Sequence, residues 1–292
     1  MKALTFLLFV LGLSSCSDYE NRGELKAYLG DFGDVLVVTD QHLWEGDFGD
    51  SIKILFTDYV PAIMPAQGQF DLEFSAPENF KGSAKRFRNV LHIDIGDKLN
   101  NQEPTITTSK SEHALDQIVV YAKAKTEQDM LTLLSKRYKD IINRVNDEEM
   151  GRKQKLLSFR QDSSVLETIE RKKGYAMIVP SSYKVLVDSG NVLWVNKVSS
   201  VRQDDLDKYT VRDIVISSYE YESEDMLTLE NILIKKNEVL RSITFDDSDN
   251  TFIRHQEKHD PTVRIISGGN DYKMEIRSLW TKEGAFQGGP SI

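Results

Sequence analysis

Residues 126–145 read TEQDMLTLLSKRYKDIINRV and predict the longest regular element of this chain. Apolar side chains recur there at helical spacing, at Met130, Leu134, Tyr138, Ile141, Ile142 and Val145. Thr126, with Asp129 three residues later, is typical of a helix N-cap. We therefore expect a long amphipathic helix that buries one face.

Strand patterns lie on both sides of this helix. The run VLVV at 35–38 is β-branched, apolar and of strand length, and the segment 117–121 is similar. A second charged helical region runs from about 149 to 173, after which strand patterns resume at 184–187, 192–195, 211–217, 263–266 and 272–280. Because strands and helices recur in similar order, we predict an α+β fold. It would consist of two related α/β halves with mostly antiparallel sheets, joined by a long helical middle segment.

These patterns divide the chain into five predicted segments. They are a lipoprotein signal peptide (1–15), an acylated N-terminus and tether (16–30), an N-terminal α+β half (31–148), a helical connector (149–173) and a C-terminal α+β half (174–292).

The N-terminus predicts the location of the protein. Met1-Lys2 precedes an apolar run that ends at Leu13, and this run is too short to cross a bilayer core of ~30 Å. Leu13-Ser14-Ser15-Cys16 looks like a bacterial lipobox, in which Cys16 would carry a diacylglyceryl group and an acyl chain such as palmitate. The alternative is a plain secretory signal with a chance cysteine. Two or more acyl chains would anchor the protein firmly. We expect an outer membrane lipoprotein on the periplasmic or cell-surface face.

Composition narrows the function classes. The chain has 292 residues, with 46 acidic and 37 basic side chains and a formal net charge of −9. This charge argues against a nucleic-acid partner, which would favour a basic surface. The single cysteine excludes an internal disulfide framework and a CxxC metal or redox site.

Few motifs point to chemistry. His255 and His259 have i, i+4 spacing, but Gln256 stands where a zincin needs glutamate, so a polar loop is the simpler interpretation. The sequence GDFGD occurs at 30–34 and again at 46–50, and we expect two turns in which Phe32 and Phe48 pack inward. The sequence gives no cradle for a nucleotide cofactor, and we predict neither a cofactor nor a metal site.

Two classes of function remain open. The first is a non-catalytic binding or assembly module of the cell envelope, with Trp44, Trp194 and Trp280 as a possible surface for a saccharide or protein partner. Core packing of these indoles is the alternative. The second class is a carboxylate-dependent hydrolase acting on an envelope polymer, with a pair such as Asp40 and Glu45.

Several scattered segments carry a family resemblance. They are GDVLVVTD at 33–40, MPAQGQF at 64–70, RNVL at 88–91, QIV at 117–119 and the tail EIRSLW…FQGGP at 275–290. Together they resemble an uncharacterised family of Gram-negative bacterial lipoproteins with a C-terminal LW…GGP tail. The resemblance implies a lipoprotein and no particular reaction.

This chain departs from the family pattern at two places. Gly68-Gln69 stands where the family tends to have Glu-Pro, and Ser291 stands where an aromatic residue usually follows Gly-Gly-Pro. The second departure removes an aromatic side chain that could anchor the tail. We nevertheless predict that the tail closes the fold, with Trp280 buried and Phe286 packed against the body.

Overall fold

The computed structural model describes residues 25–60, 67–96, 103–161, 167, 169–170, 177–203, 206–246, 249–268 and 271–292. The predicted signal peptide, Cys16 and most of the tether lie outside these residues. Within the described part, no helix combines the length and the apolar character needed to cross a membrane.

The N-terminal half is built on a five-stranded sheet in the order β2-β1-β3-β5-β4. Its strands are β1 (Asp34–Val38), β2 (Asp71–Ser75), β3 (Asn89–Ile95), β4 (Thr105–Lys110) and β5 (Ile118–Ala124). The pairs β1–β2, β1–β3 and β3–β5 are parallel, and β4 pairs antiparallel with β5 at the sheet edge. The predicted strand at 35–38 is thus confirmed as the β1 strand inside this sheet.

Helices cover one face of this sheet. They are α1 (Gln41–Trp44), α2 (Asp47–Phe56) and the 32-residue α3 (Glu127–Ser158). The Thr126 side chain caps α3 by accepting a hydrogen bond from the Asp129 backbone N–H at 3.1 Å. Met130, Leu134, Ile141 and Val145 are buried in the main core with α2 and the sheet, as the helical periodicity predicts. The second face of the sheet has its own apolar cluster around Leu36, Val38, Val90 and Val119.

The described residues of the C-terminal half form two antiparallel sheets and a longer helix. The first sheet is formed by β6 (Lys184–Ser189), β7 (Val192–Gln203) and β8 (Leu206–Ser217). The helix α4 (Leu229–Thr244) follows. The second sheet is centred on β11 (Asp271–Glu283), which pairs with β9 (Phe252–His255), β10 (Thr262–Gly268) and β12 (Gly288–Ser291).

The α+β class is confirmed, with two sheet-rich halves and a long helix between them. The two halves are not related by topology, because the N-terminal sheet is mainly parallel whereas both C-terminal sheets are antiparallel. The parallel pairing arises because α1 and α2 carry the chain from β1 back across the sheet to β2, and such a crossover returns the second strand in the same direction.

The expected boundary between helix and connector at residue 149 falls inside α3. This helix is continuous to Ser158, so the first ten residues of the predicted connector belong to the N-terminal half. Much of the remaining connector, residues 162–166, 168 and 171–173, lies outside the described residues.

The two GDFGD copies adopt different structures. The first forms a turn in which Gly33 has a φ of +89°, as expected, but Phe32 is exposed. The second copy opens helix α2, where Phe48 is buried and Gly49 lies directly against the backbone of Trp44. A Cβ at Gly49 would stand 1.9 Å from the Trp44 carbonyl oxygen. The expectation of two equivalent turns is therefore wrong, because close packing of α2 against α1 determines the second one.

Candidate functional site

A shallow, open cleft lies in the C-terminal half, beside Trp194. It has a volume of about 470 Å³ and is lined by Trp194 of β7, the end of α4, and residues of β9, β11 and the following turn. Its lining is mixed: apolar and aromatic groups come from Trp194, Ile243, Phe245 and Ile253, and polar groups from Thr244, Asp246, Lys282 and Gln287.

Hydrogen bonds on the sheet hold the indole of Trp194 in place. Register pairs Trp194 with Val215 and Asn196 with Asp213, so these four side chains share one face of the β7–β8 hairpin. The Asp213 carboxylate accepts the Trp194 Nε1–H at 2.8 Å and the Asn196 amide at 2.6 Å. The polar edge of the indole is therefore satisfied within the protein. What a ligand can meet in the cleft is the flat apolar part of the ring.

The structure does not bring the three predicted tryptophans together. Trp44 lies in the N-terminal half, where its ring stacks on Phe74 with centroids 5.4 Å apart and planes 6° apart. The Lys53 ammonium lies 4.9 Å from the Trp44 ring centroid. Trp280 is on β11, half-buried and covered by Gly289, where a Cβ would stand 2.9 Å from the indole nitrogen. Trp194 is the one that lines the cleft.

The carboxylates considered for hydrolysis do not line this cleft. Asp40 and Glu45 flank the one-turn helix α1, both are exposed, and the Glu45 carboxylate accepts a hydrogen bond from the Gln41 amide at 2.7 Å. Glycosidase carboxylates lie ~5–10 Å apart on either side of a bound sugar.

The candidate metal ligands are likewise separated by the fold. His255 belongs to strand β9 and is buried, whereas His259 lies in the exposed turn that follows. Among the described residues no three His, Cys, Asp or Glu side chains are grouped so as to hold a metal ion.

A buried ionic cluster, which we call the Arg–Glu–Arg cluster, was not predicted from the sequence. Glu149 of α3 is 1 % exposed and forms ion pairs with Arg88, which precedes β3, and with Arg152. The Asn89 amide donates to Glu149 at 2.7 Å, and Arg152 donates to the Asn89 side-chain oxygen at 2.5 Å. Tyr28 lies under both guanidinium groups, 4.8 Å and 5.3 Å from their centres.

The Arg–Glu–Arg cluster lies at the amino ends of the parallel strands. Asn89 is the first residue of β3, and Arg88 accepts the Ile118 backbone N–H from β5. Ligands of open parallel sheets bind at the opposite, carboxyl ends of the strands. We therefore interpret the cluster as the link that fixes the C-terminal part of α3 to the sheet.

A second group of polar side chains lies on the sheet face opposite α3. The Tyr121 hydroxyl donates to Glu112 at 2.7 Å, and His113 Nε2 lies 3.3 Å from the same carboxylate. Phe80 contacts both His92 and His113 edge to face. Burial lowers the pKa of His92, whose Nδ1 is buried without a hydrogen-bond partner among the described residues.

The tail is held by a third polar cluster, in which Ser291 takes part. The Lys236 ammonium of α4 donates to the hydroxyls of Ser278 at 3.0 Å and Ser291 at 2.7 Å. Burial lowers the pKa of Lys236. Strand β12 therefore closes the sheet through polar contacts, whereas Phe286, expected to pack against the body, is fully exposed in the turn before it.

Comparisons with known proteins agree with this division into halves. Residues 29–158 match the family model of a domain of unknown function (DUF8532), and residues 162–292 match that of a second domain of unknown function (DUF4837). Neither curated proteins nor solved structures give a match to this chain. Each half of the chain is therefore similar to a different domain of unknown function, and neither match names an activity.

Proposed function

We propose that this protein is a lipid-anchored, non-catalytic binding module of the bacterial outer membrane that takes an envelope saccharide in the Trp194 cleft. The anchor would be Cys16, in the lipobox-like sequence at 13–16. The observation that carries the binding role is the cleft of about 470 Å³ with Trp194 in its wall.

The chemistry of the cleft favours a sugar. A pyranose ring has apolar C–H faces and a periphery of hydroxyl groups. The flat part of the Trp194 ring and the nearby Phe245 suit such a face, while Lys282 and Gln287 supply polar atoms at the sides. The cleft volume lies within the range of ~300–1,000 Å³ typical of small-ligand sites.

The binding half of the proposal is tested by titrating the protein with soluble peptidoglycan disaccharide-peptides and following tryptophan fluorescence and heat. We expect saturable binding that is lost in Trp194→Ala. Trp44→Ala is the matched control, because Trp44 is stacked on Phe74 in the other half, and this variant is expected to bind like the parent.

Three outcomes would overturn the proposal. One is equal binding by Trp194→Ala and the parent, which would remove the cleft from the site. Another is turnover of the saccharide, which would favour the hydrolase. The third is stoichiometric capture of an envelope protein by a chain that binds no envelope saccharide.

The anchor is tested separately by fractionating cells and by mass spectrometry of the N-terminal peptide. Cys16 should carry lipid, and Cys16→Ser should release the protein from the membrane fraction. Protease treatment of intact cells distinguishes the cell-surface face from the periplasmic face.

A further inference from the structure

The first described residues are fixed at the amino ends of the parallel strands. Leu115 donates its backbone N–H to the Lys26 carbonyl at 2.9 Å. Leu29 donates to the Arg86 carbonyl and accepts from the Arg88 N–H, both at 2.9 Å. Since these partners lie just before β3 and β5, the chain enters the N-terminal half at the pole that also holds the Arg–Glu–Arg cluster.

Helix α3 ends at the same pole. Its Lys155 ammonium pairs with the carboxylate of Asp116, just before β5, at 2.9 Å. The buried face of α3 continues from Arg152, at the same helical spacing, to Leu156 and the C-cap residue Phe159. These two side chains are 52 % and 81 % exposed. The face that packs on the sheet therefore becomes an exposed apolar face at the end of the helix.

Further exposed apolar side chains lie at this pole. Phe32, in the turn before β1, is close to α3, because the Lys153 ammonium lies 5.3 Å from its ring centroid. We define the amino-end patch as five large apolar residues of this pole that are between 40 % and 81 % exposed, namely Leu25, Phe32, Leu115, Leu156 and Phe159. Exposed apolar groups of this kind are typical of surfaces that contact a protein or a membrane.

Cations accompany the amino-end patch. Lys26, Lys153 and Arg160 are exposed at this pole, and none of them forms an ion pair with another described residue. Apolar side chains bordered by lysine and arginine suit the phosphate layer of a lipid surface. The tether at 16–24 has more acidic than basic residues. The apolar contacts, and not net charge, must therefore supply most of the binding.

The reach of the tether determines which surface can lie on the membrane. Leu25 follows Cys16 by nine residues. These residues span at most ~30 Å when fully extended and ~17 Å as a flexible chain. Helix α3 has 32 residues and is therefore ~48 Å long. An upright orientation with the other end of α3 on the bilayer would lift the patch beyond the reach of the tether.

We propose that the amino-end patch docks on the phospholipid surface of the membrane in which Cys16 is anchored. This inference rests on the lipid anchor of the proposed function. The apolar side chains of the patch enter the headgroup region, and the three cations contact lipid phosphates. The carboxyl ends of the parallel strands then face away from the membrane.

Quenching by brominated lipid tests the contact. The mature chain (16–292) is coupled through Cys16, its only cysteine, to a maleimide lipid in vesicles of brominated phosphatidylcholine and phosphatidylglycerol. Leu156→Trp adds an indole to the patch. The matched control Gln128→Trp adds one to the exposed first turn of the same helix, ~42 Å away. Compared with vesicles without bromine, the emission added by Leu156→Trp should be lost, and that added by Gln128→Trp should be kept.

The chemical coupling separates this test from the test of the proposed function. It supplies the anchor whether or not cells acylate Cys16. An unmodified Cys16 in the mass spectrum of the cellular protein would overturn the anchor, and quenching in the coupled vesicles would still report docking of the patch.

Removal of apolar area tests the patch itself. In the Leu156→Trp chain, the added changes Leu115→Gln/Phe159→Gln should abolish the quenching. The matched control is Val198→Gln/Val211→Gln, which alters a facing pair in the C-terminal half that is 59 % and 56 % exposed. This control should be quenched like the Leu156→Trp chain. Circular dichroism of each variant shows whether it is folded.

The proposal is wrong if Leu156→Trp keeps its emission, or if both reporter indoles are quenched to the same degree. It is equally wrong if the folded Leu115→Gln/Phe159→Gln chain is quenched as strongly as the chain without these changes. An unquenched Leu156→Trp chain that sediments as a dimer, and that Leu115→Gln/Phe159→Gln converts to a monomer, would show that the patch binds a second copy of the chain instead.

Discussion

At the scale of single residues, the most consequential side chain of the N-terminal half is Glu149. It is almost fully buried and lies between the guanidinium groups of Arg88 and Arg152. Burial lowers the pKa of Arg152, and the Coulombic attraction of Glu149 opposes this shift. Since two buried cations share one buried anion, the removal of the carboxylate leaves both cations without their counterion.

We therefore predict that Glu149→Ala lowers the free energy of unfolding by roughly 3–5 kcal/mol. Urea titration followed by circular dichroism measures the change. The control is Asp140→Ala, which breaks the exposed pair with Arg137 and should cost at most about 1 kcal/mol. A loss at Glu149 no larger than at Asp140 would show that the Arg–Glu–Arg cluster does not hold α3 to the sheet.

A second prediction at this scale concerns His92. In the folded protein, burial lowers the pKa of His92 below its ordinary value of 6.5. At a pH between the folded pKa and 6.5, the unfolded chain therefore binds more protons than the folded chain. Stability should therefore fall as the pH is lowered through 6.5 and level off below the folded pKa. The nearby charges act on this balance: Asp94 and Glu112 raise the pKa of His92, whereas Lys123 lowers it.

We expect His92→Phe to lose part of this dependence, because it keeps a ring of similar shape without a titrating group. The measurement is the unfolding free energy at about pH 7.5 and at about pH 5, for parent and variant. Burial also lowers the pKa of His255, so that a smaller decrease should remain in the variant. An identical decrease in both proteins would exclude His92 as a source of it.

At the scale of elements, β12 shows how a terminal strand is retained. It makes only four register pairs with β11, and its glycines allow the backbone to lie against Trp280. A Cβ at Gly288 would stand 2.8 Å from the Trp280 carbonyl oxygen. The Ser291 hydroxyl satisfies Lys236 from the edge of the sheet.

Deletion of residues 288–292 is expected to lower the melting temperature by several degrees, since it exposes the β11 edge and removes a partner of a partly buried cation. Ser291→Ala should lower the melting temperature less than the deletion does. Phe286→Ala should leave the melting temperature unchanged, because Phe286 is fully exposed. Thermal unfolding by circular dichroism compares the three. A tail deletion that melts with the parent would identify β12 as a frayed end.

The elements that could be predicted are those with a strong local pattern. Helix α3 has apolar residues at helical spacing, and strands β1, β3 and β5 are short apolar segments that form the main core and the cluster on the other face of the sheet. Strand β4 was missed because its sequence TITTSK has one large apolar residue and depends on pairing with β5. Parallel pairing was also missed, since it depends on the path of the crossovers and not on any single strand.

The candidate sites were harder to predict because they also depend on contacts between segments that are distant along the chain. Glu149 lies in a charged helical stretch, and its partner Arg88 is 61 residues away along the chain. The segment containing Glu149 was therefore interpreted as part of a helical connector between the halves. Trp194 was predicted as a binding residue from its type alone, and the sequence could not distinguish it from Trp44 and Trp280, which pack within their own halves.

At the scale of the whole molecule, the two halves have separate cores. The main core of the N-terminal half contains only residues from 35 to 145, and the C-terminal cluster around Leu193 and Val195 contains only residues from 169 to 216. The two family models divide the chain in the same way, after Ser158. The ion pair between Asp147 and Arg264 joins the halves across the surface, where such pairs contribute little.

We therefore predict that residues 25–161 fold without the C-terminal half. This fragment includes Tyr28, the whole Arg–Glu–Arg cluster and helix α3 to its end, whereas a fragment that stops at 148 removes Glu149 and Arg152 and leaves Arg88 without its counterion. The fragment 25–161 should unfold cooperatively in urea and give dispersed NMR amide resonances. The fragment that stops at 148 should be unfolded or much less stable, because the last turns of α3 supply the charges that complete the Arg–Glu–Arg cluster. Two equally folded fragments would place the boundary of the N-terminal domain at 148 after all, and two unfolded ones would show that the N-terminal half depends on the contacts it makes with the C-terminal sheets.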